Sequence, residues 1–131
     1  MFSPLKGFLL VCLGIFIVSC SKTAGPNGKA TVHVHLIKTL NNNFAMNLAN
    51  TNVMVNYNSS SFPGNNASGD NNVQTNENGL AEFNNLKRGD YYFFVISSIN
   101  DTLFSGGQHV CIESRKGEQH IVIDIGEENP Y

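Results

Sequence analysis

The sequence predicts an all-β protein, a seven-stranded antiparallel β-sandwich of about a hundred residues. Three observations support this fold class. No segment of useful length after residue 30 has helical periodicity, apolar and polar residues alternate over short runs, and clusters of Asn, Gly and Ser separate these runs. Because side chains alternate between the two faces of a strand, such runs can bury one face against a second sheet.

The predicted strands cover residues 30–40, 51–57, 73–75, 79–84, 90–99, 109–113 and 119–125. The first shows the pattern most clearly, because Val32, Val34 and Leu36 alternate with His33 and His35. The fifth, "DYYFFVISSI", is apolar on both faces, as a strand at the centre of a sheet can be.

Two turns are expected within "TNENGLAEFNNLKRGDYYFFV", residues 75–95. Asn78 and Gly79 are a preferred pair for a tight hairpin turn. In the second turn we expect Leu86 to enter the core and Gly89 to stand where a Cβ would clash. Each unusual residue of the stretch has a geometric role and none forms a nucleophile–base pair, so the stretch is interpreted as architecture.

The N-terminus predicts export and lipidation. Lys6 precedes the apolar run "GFLLVCLGIFIV", which is too short to span a bilayer comfortably. The run ends in "IVSC", residues 17–20, which resembles the bacterial lipobox. In that pattern the cysteine thiol is diacylated and the peptide is cut before it, so Cys20 would carry lipid, palmitate included, and begin the mature chain. The alternative is an uncleaved anchor.

The predicted organisation follows from this assignment. Residues 1–19 form a lipoprotein signal peptide, 20–29 a flexible Gly- and Pro-containing tether, 30–126 the β-sandwich and 127–131 a C-terminal tail. The expected location is the bacterial outer membrane on its periplasmic side, because "SKTAGPN" after Cys20 lacks the acidic cluster that resembles surface-export signals. Surface exposure is the alternative.

The net charge limits the expected classes of binding partner, and the positions of the cysteines limit the expected disulfides. The formal net charge is −2 and no basic run or patch is evident, so nucleic acid is not an expected partner. Cys12 leaves with the signal peptide and Cys20 carries lipid, so Cys111 would stand alone and the domain would contain no disulfide.

The stretch "TNENGLAEFNNLKRGDY" resembles the "T-D-x-x-G-x-F-x-F-x-x-L-x-x-G-x-Y" signature of carboxypeptidase regulatory-like, prealbumin-type β-sandwich domains. Upstream, "NLANTNVMVNY" is similar to the second strand of that family, with Leu48 and Val53 matching. The resemblance implies a prealbumin-like fold. It also implies a folded spacer, adhesion module or binding platform rather than an enzyme.

Two families that are related to these domains and carry out covalent chemistry match this sequence poorly. Transthyretin-like hydroxyisourate hydrolases use a strand histidine, for which His33 or His35 would serve, and a C-terminal Tyr-Arg-Gly-Ser that the final "EENPY" does not provide. Collagen-adhesin B-type domains need an acid late in the strand corresponding to "YYFFVISS", which has none. The chain is therefore not expected to be an enzyme.

Three histidines are weak candidates for a metal site. His33 and His35 leave the same face of a strand, about 7 Å apart. If the penultimate strand lies beside the first, His109 could join them and bind zinc or copper. The favoured interpretation is a solvated polar face, so no metal and no cofactor are expected.

An aromatic stripe is the candidate interface. If Tyr91 points inward, then Tyr92, Phe94 and Ile96 point outward together. One alternative is that the polar segment 58–72 covers the stripe, although its composition favours disorder. The other is that side chains of a neighbouring strand shield it.

These observations favour a non-catalytic, lipid-anchored envelope protein that acts as a binding or assembly module with a protein partner. The alternative is a carbohydrate-binding accessory lipoprotein of a polysaccharide-uptake system, whose partner would be a glycan. The absence of Trp lowers this alternative, because glycan sites on sandwiches usually present aromatic platforms. A metal-dependent enzyme would rest on the histidines alone.

Overall fold

The computed structural model of the chain describes residues 22–40 and 44–125, which form eight β-strands and their connections. The strands are β1 (Pro26–Thr39), β2 (Ala45–Asn47), β3 (Asn52–Tyr57), β4 (Asn71–Gln74), β5 (Leu80–Leu86), β6 (Gly89–Ile99), β7 (Thr102–Ile112) and β8 (Glu118–Asp124). The all-β prediction is confirmed, with β2 as one strand more than predicted. The predicted signal peptide, Cys20 and the residues from 126 onward lie outside the described residues.

Sheet A contains four strands with the long β1 at its centre. β5 and β2 pair antiparallel with β1, and β8 pairs parallel with it. The Leu36 N–H donates to the Gly79 carbonyl, and the Leu36 carbonyl accepts from the Leu48 N–H. The N–H and the carbonyl of one strand residue point to the same edge of its strand. β5 and β2 therefore pair with one edge of β1, and β8 pairs with the other.

The parallel direction of β8 corrects the prediction of a fully antiparallel sandwich. After β7 the chain does not return as a hairpin but crosses to the other sheet, where the Thr31 N–H donates to the Gly117 carbonyl at 3.0 Å. From there β8 follows β1 in the same direction and places Ile121 and Ile123 on the core face. Burial of these two side chains favours this register.

Sheet B has the order β4-β3-β6-β7 and is antiparallel throughout. β6 and β7 form its longest hairpin, joined by Asn100 and Asp101 with φ of 51° and 65°. Positive φ at both central residues is the requirement of a type I′ turn, whose twist matches that of the flanking strands. β7 therefore begins at Thr102, well before the predicted start at residue 109.

The two sheets pack face to face through one apolar core. The rings of Phe83 from sheet A and Phe93 from sheet B are 5.1 Å apart at their centroids. The largest core side chains that are almost fully buried are Tyr91, Phe83, Phe93, Leu36, Ile112, Ile123, Ile125, Val32, Val34, Val53 and Val55. Each stabilises the fold by roughly 1.5–3 kcal/mol relative to an exposed position, so this core is the main source of stability.

Both turns of the 75–95 stretch carry the chain from one sheet to the other. Gly79 has φ of 76° and donates its N–H to the Asn76 carbonyl at 3.0 Å. The turn joins β4 of sheet B to β5 of sheet A, so the expected hairpin within one sheet is wrong. At the second turn, Leu86 is buried, and a Cβ on Gly89 would lie 2.5 Å from the Ala24 nitrogen, which confirms the requirement for glycine.

The segment before β1 is pinned to the end of the sandwich. The Gly25 N–H donates to the Tyr91 hydroxyl at 2.9 Å, and that hydroxyl donates to the Lys87 carbonyl at 2.7 Å. Residues 26–29, which belong to the predicted tether of 20–29, form the start of β1. The first strand therefore begins before the predicted domain boundary at residue 30.

Cys111 is disulfide-bonded in the structure. The expectation that Cys111 stands alone is therefore wrong.

Candidate functional site

The predicted aromatic stripe on β6 is not an exposed surface. Tyr92 is 7% exposed and Phe94 is 0% exposed, while Ile96 is half-buried. The ring of Phe62 packs edge-on against that of Phe94 with centroids 6.0 Å apart. The expectation that these three residues form an open docking face is therefore wrong, because the segment 58–72 folds over the outer face of sheet B.

This covering segment is fixed by its own hydrogen bonds, contrary to the interpretation that it is disordered. The Asp70 carboxylate accepts from the Tyr57 N–H at 2.8 Å, and the Asp70 N–H donates to the Val55 carbonyl at 2.8 Å. On the other side, a Cβ on Gly107 would lie 2.5 Å from Cε2 of Tyr92, so the tyrosine ring needs glycine beneath it. Sheet B thus has a second apolar layer on its outer face.

The three histidines predicted as weak metal candidates do not converge. His33 and His35 share the outer face of sheet A, but His109 lies in sheet B and bonds to the Asp90 carboxylate at 2.8 Å. The expected arrangement is wrong because the strand beside β1 is β8, not β7. His35 is bonded to Oδ1 of Asn47 at 2.7 Å.

His33 instead meets side chains from both neighbouring strands. Its ring stacks on that of His120 in β8, with centroids 4.4 Å apart and planes 8° from parallel. Its Nε2 lies 3.1 Å from Oε1 of Glu118, and its Nδ1 lies 3.5 Å from Oε2 of Glu82 in β5. These three partners were not identified from the sequence, because their proximity depends on the position of β8 and on the β1–β5 register.

Two aliphatic side chains extend this surface. Leu80 is 45% exposed and Val122 is 53% exposed, and both align with His35 across the strands. We call the set of outward residues His33, His35, Leu80, Glu82, Glu118, His120 and Val122 the sheet A face. It includes a shallow cavity of about 320 Å³ lined by His33, Asn76, Leu80, Ala81, Glu82 and His120. Imidazoles, carboxylates and exposed aliphatic side chains thus lie together on one solvent-accessible surface.

A second cavity, of about 310 Å³, lies where the chain enters β1. Five of the eight basic residues of the chain line it, namely Lys22, Lys29, Lys87, Arg88 and Arg115. We call this set the basic end. The expectation that no basic patch exists is wrong, because residues far apart in sequence meet there.

No helix in the described part of the chain has the length and apolar composition needed to cross a membrane.

Comparisons with known proteins identify the fold but not the family. No family model and no curated protein sequence matches the chain. Its structure is similar to that of a Pseudomonas aeruginosa protein named "putative carbohydrate binding protein (PA1324)", with a TM-score of 0.54 and 13% identity over 77% of this chain and 91% of that chain. Identity this low shows a shared all-β fold alone.

Proposed function

We propose that this chain is a non-catalytic binding module, held on a membrane by lipid on Cys20, and that the sheet A face is its ligand-binding surface. The observation that carries the proposal is the difference between the two outer faces. On sheet B the segment 58–72 covers the outward aromatic side chains of β6, whereas the sheet A face leaves Leu80 and Val122 exposed beside charged and hydrogen-bonding groups. Exposed apolar groups ringed by polar ones are typical of interaction surfaces.

The openness of the face favours binding over catalysis. Acid–base and nucleophilic chemistry usually depends on a site that excludes water, where electrostatic interactions are strong. Glu82 and Glu118, the two carboxylates nearest His33, have side chains that are 53% and 66% exposed. Ion pairs in such surroundings are screened by solvent and orient a ligand more readily than they activate a nucleophile.

We also propose that the β-sandwich is of the prealbumin-like type. Its support is the pairing of two four-stranded sheets and the positions of Leu86, Gly89 and Tyr91, which match the resemblance at structurally required places. In such a sandwich the outer faces and end loops are the surfaces available for partners. A protein partner in the envelope is one class of ligand for the sheet A face.

Carbohydrate is the second candidate ligand. Sugars present apolar C–H faces and many hydroxyls, which fit the exposed Val122 and Leu80 beside the His35–Asn47 pair and the two carboxylates. The name of the structural relative from Pseudomonas aeruginosa, a carbohydrate binding protein, supports the same class. The role proposed under this alternative is that of an accessory lipoprotein in polysaccharide uptake.

Substituting Val122→Asp is expected to abolish ligand binding, because the added charge must be desolvated at the centre of the contact. Leu103→Asp is the matched control, since Leu103 is also 53% exposed but lies on β7 of sheet B. Binding of the full chain and both variants to a glycan array, and to envelope proteins by cross-linking, measures the effect. Equal loss in both variants, or in neither, would contradict the assignment of the face.

Lipidation is tested separately. We expect the mature protein isolated from its native membrane to begin at Cys20 and to carry a diacylglyceryl group on that thiol, which would hold it at the membrane because each buried methylene contributes about 0.8 kcal/mol. Mass spectrometry of the intact chain and its N-terminal peptide measures this. Recovery of Cys20 in an unmodified or disulfide-linked peptide would contradict the lipid anchor. Protease accessibility in whole cells then distinguishes the proposed periplasmic side from the surface.

A further inference from the structure

We propose that His33, His120 and Glu118 form a binding site for a divalent transition-metal ion of the zinc class. Their donor atoms all lie within 4.8 Å of one another on the sheet A face. Two imidazole nitrogens and one carboxylate oxygen are a donor set that zinc accepts, with a fourth position left for water or a ligand group. The inference does not depend on the proposed binding function, because the donor atoms alone define the site.

Coordination requires the donor atoms, which lie within 4.8 Å of one another, to move closer together. Zinc binds imidazole nitrogen and carboxylate oxygen at about 2.0–2.2 Å, so tetrahedral donors lie roughly 3.3 Å apart. The Nε2 atom of His33 is already 3.1 Å from Oε1 of Glu118. His120 must turn its ring out of the parallel stack, and its exposed position leaves room for this rotation.

The backbone holds the donors on a rigid support. His33 and His120 are direct partners in the parallel β1–β8 ladder. Glu118 precedes His120 by two positions on β8, so both side chains leave the same face. Sites built on paired strands retain their geometry better than sites built on loops.

Glu82 supplies an orienting group. It lies 3.5 Å from Nδ1 of His33, on the side of the ring opposite Glu118. Without an ion, Nε2 lies within hydrogen-bond distance of Oε1 of Glu118, at 3.1 Å. When an ion takes the place of the Nε2 proton, the Glu82 carboxylate can hold the proton on Nδ1. Metal-bound histidines commonly have such a partner, and its loss typically weakens metal affinity about 10–100-fold. Glu82 is therefore proposed as a positioning residue.

Calorimetric titration of the full chain, purified in detergent without a polyhistidine tag and stripped with a chelator, tests the site with zinc chloride as the probe. We expect one ion per chain, a higher melting temperature with zinc, and at least tenfold weaker binding in His33→Gln and His120→Gln. Glu82→Gln should weaken binding while retaining the stoichiometry. His35→Gln and His109→Gln are matched controls that should bind as the unmodified chain does.

Two results would overturn the metal site. One is the absence of saturable zinc binding by a chain whose circular dichroism shows the β fold. The other is binding that persists in both His33→Gln and His120→Gln, or that is lost equally in His35→Gln. Circular dichroism of every variant separates loss of the site from loss of the fold.

The basic end carries a second, independent proposal: it contacts the anionic headgroups of the membrane that holds the lipid anchor. The five basic side chains form no ion pair with a carboxylate in residues 22–40 and 44–125, where the ion pairs found all involve histidine. Lys22, which lines the cavity, follows Cys20 by two positions. The anchor of the proposed lipoprotein would thus place these five basic side chains at the membrane surface.

Charge complementarity favours phospholipid phosphate as the occupant, since each basic residue near an anionic surface contributes about 1 kcal/mol. Contact at the basic end would fix how the module stands on the membrane. This proposal rests on the lipid anchor for its location, but the surface can be tested without lipid on the protein.

Sedimentation of the full-length Cys20→Ser chain with vesicles measures the contact directly. Binding is expected to vesicles that contain phosphatidylglycerol and not to phosphatidylcholine alone, with roughly 30-fold weaker partitioning in Lys87→Ala/Arg88→Ala. Lys38→Ala, outside the basic end, should change little. Equal binding to both vesicle types, or tighter binding to a single-stranded oligonucleotide or free phosphate than to anionic vesicles, would overturn the proposal. Failure here leaves the lipidation test unaffected.

Discussion

Replacing Phe94 by alanine is expected to destabilise the folded chain by about 3–5 kcal/mol, a large share of the stability of a domain of this size. The ring is fully buried on the outer side of sheet B and makes an edge-on contact with Phe62. Its removal leaves a cavity between the sheet and the segment 58–72, which can collapse only in part. Chemical denaturation followed by circular dichroism measures the change in the free energy of unfolding.

Leu103→Ala is the control for this measurement. Leu103 is a large apolar residue in the same sheet, but it is exposed, and substitutions at such positions usually change stability by less than about 0.5 kcal/mol. Similar small effects for Phe94→Ala and Leu103→Ala would show that the segment 58–72 does not cover the strand. The β6 stripe would then become a docking candidate again.

Tyr91→Phe is expected to destabilise the chain by about 1–3 kcal/mol, although it removes one oxygen atom. That hydroxyl accepts from the Gly25 N–H and donates to the Lys87 carbonyl, so its loss leaves a buried backbone donor without a partner. Tyr57→Phe is the matched control, because the Tyr57 hydroxyl makes no hydrogen bond to another of the described residues. Equal effects of the two substitutions on the free energy of unfolding would contradict the role of Tyr91.

Because of the same hydroxyl, the free energy of unfolding is expected to change with pH in the alkaline range. Burial raises the pKa of Tyr91, although the backbone bonds at Gly25 and Lys87 partly oppose the change. The folded chain therefore holds the phenolic proton more tightly than the unfolded chain does. This contribution is fully present below about pH 10 and is lost as the pH rises through the folded-state pKa. Tyr91→Phe should lose stability less steeply than the unmodified chain above that pH.

The strand positions could be predicted because alternation records which face is buried. Val32, Val34 and Leu36 are all fully buried, as their spacing indicates. Leu86 and Gly89 likewise follow from local chemistry, since a turn that carries the chain over the core needs one apolar contact and one residue without a Cβ.

The pairing of strands could not be predicted in the same way. Nothing in "QHIVIDI" distinguishes a strand antiparallel to β7 from one parallel to β1, because both bury the same isoleucines. The error over Tyr92 and Phe94 has a related cause. Period-two alternation shows that they leave the opposite face from Tyr91, but not that the polar segment 58–72 contributes Phe62 to cover them.

The residues of the sheet A face could not be predicted as a group, for the same reason. His33 was identified as a candidate, but its neighbours His120, Glu118 and Glu82 come from two strands whose order the sequence does not specify. The basic end is similar, because its five cations are dispersed along the chain and meet only in the folded state. Sites assembled across strands depend on topology, and topology was the part of the prediction with the least local signal.

The central claim is that function resides on the sheet A face, and amide chemical-shift mapping tests it most directly. The isotope-labelled chain is titrated with the glycan or protein identified in the binding screens. We predict that the perturbed amides cluster at positions 31–37, 80–84 and 118–124, with little change along β6 and β7. Perturbations centred on the segment 58–72 and β6 would contradict the claim and place the binding surface on the opposite side of the molecule.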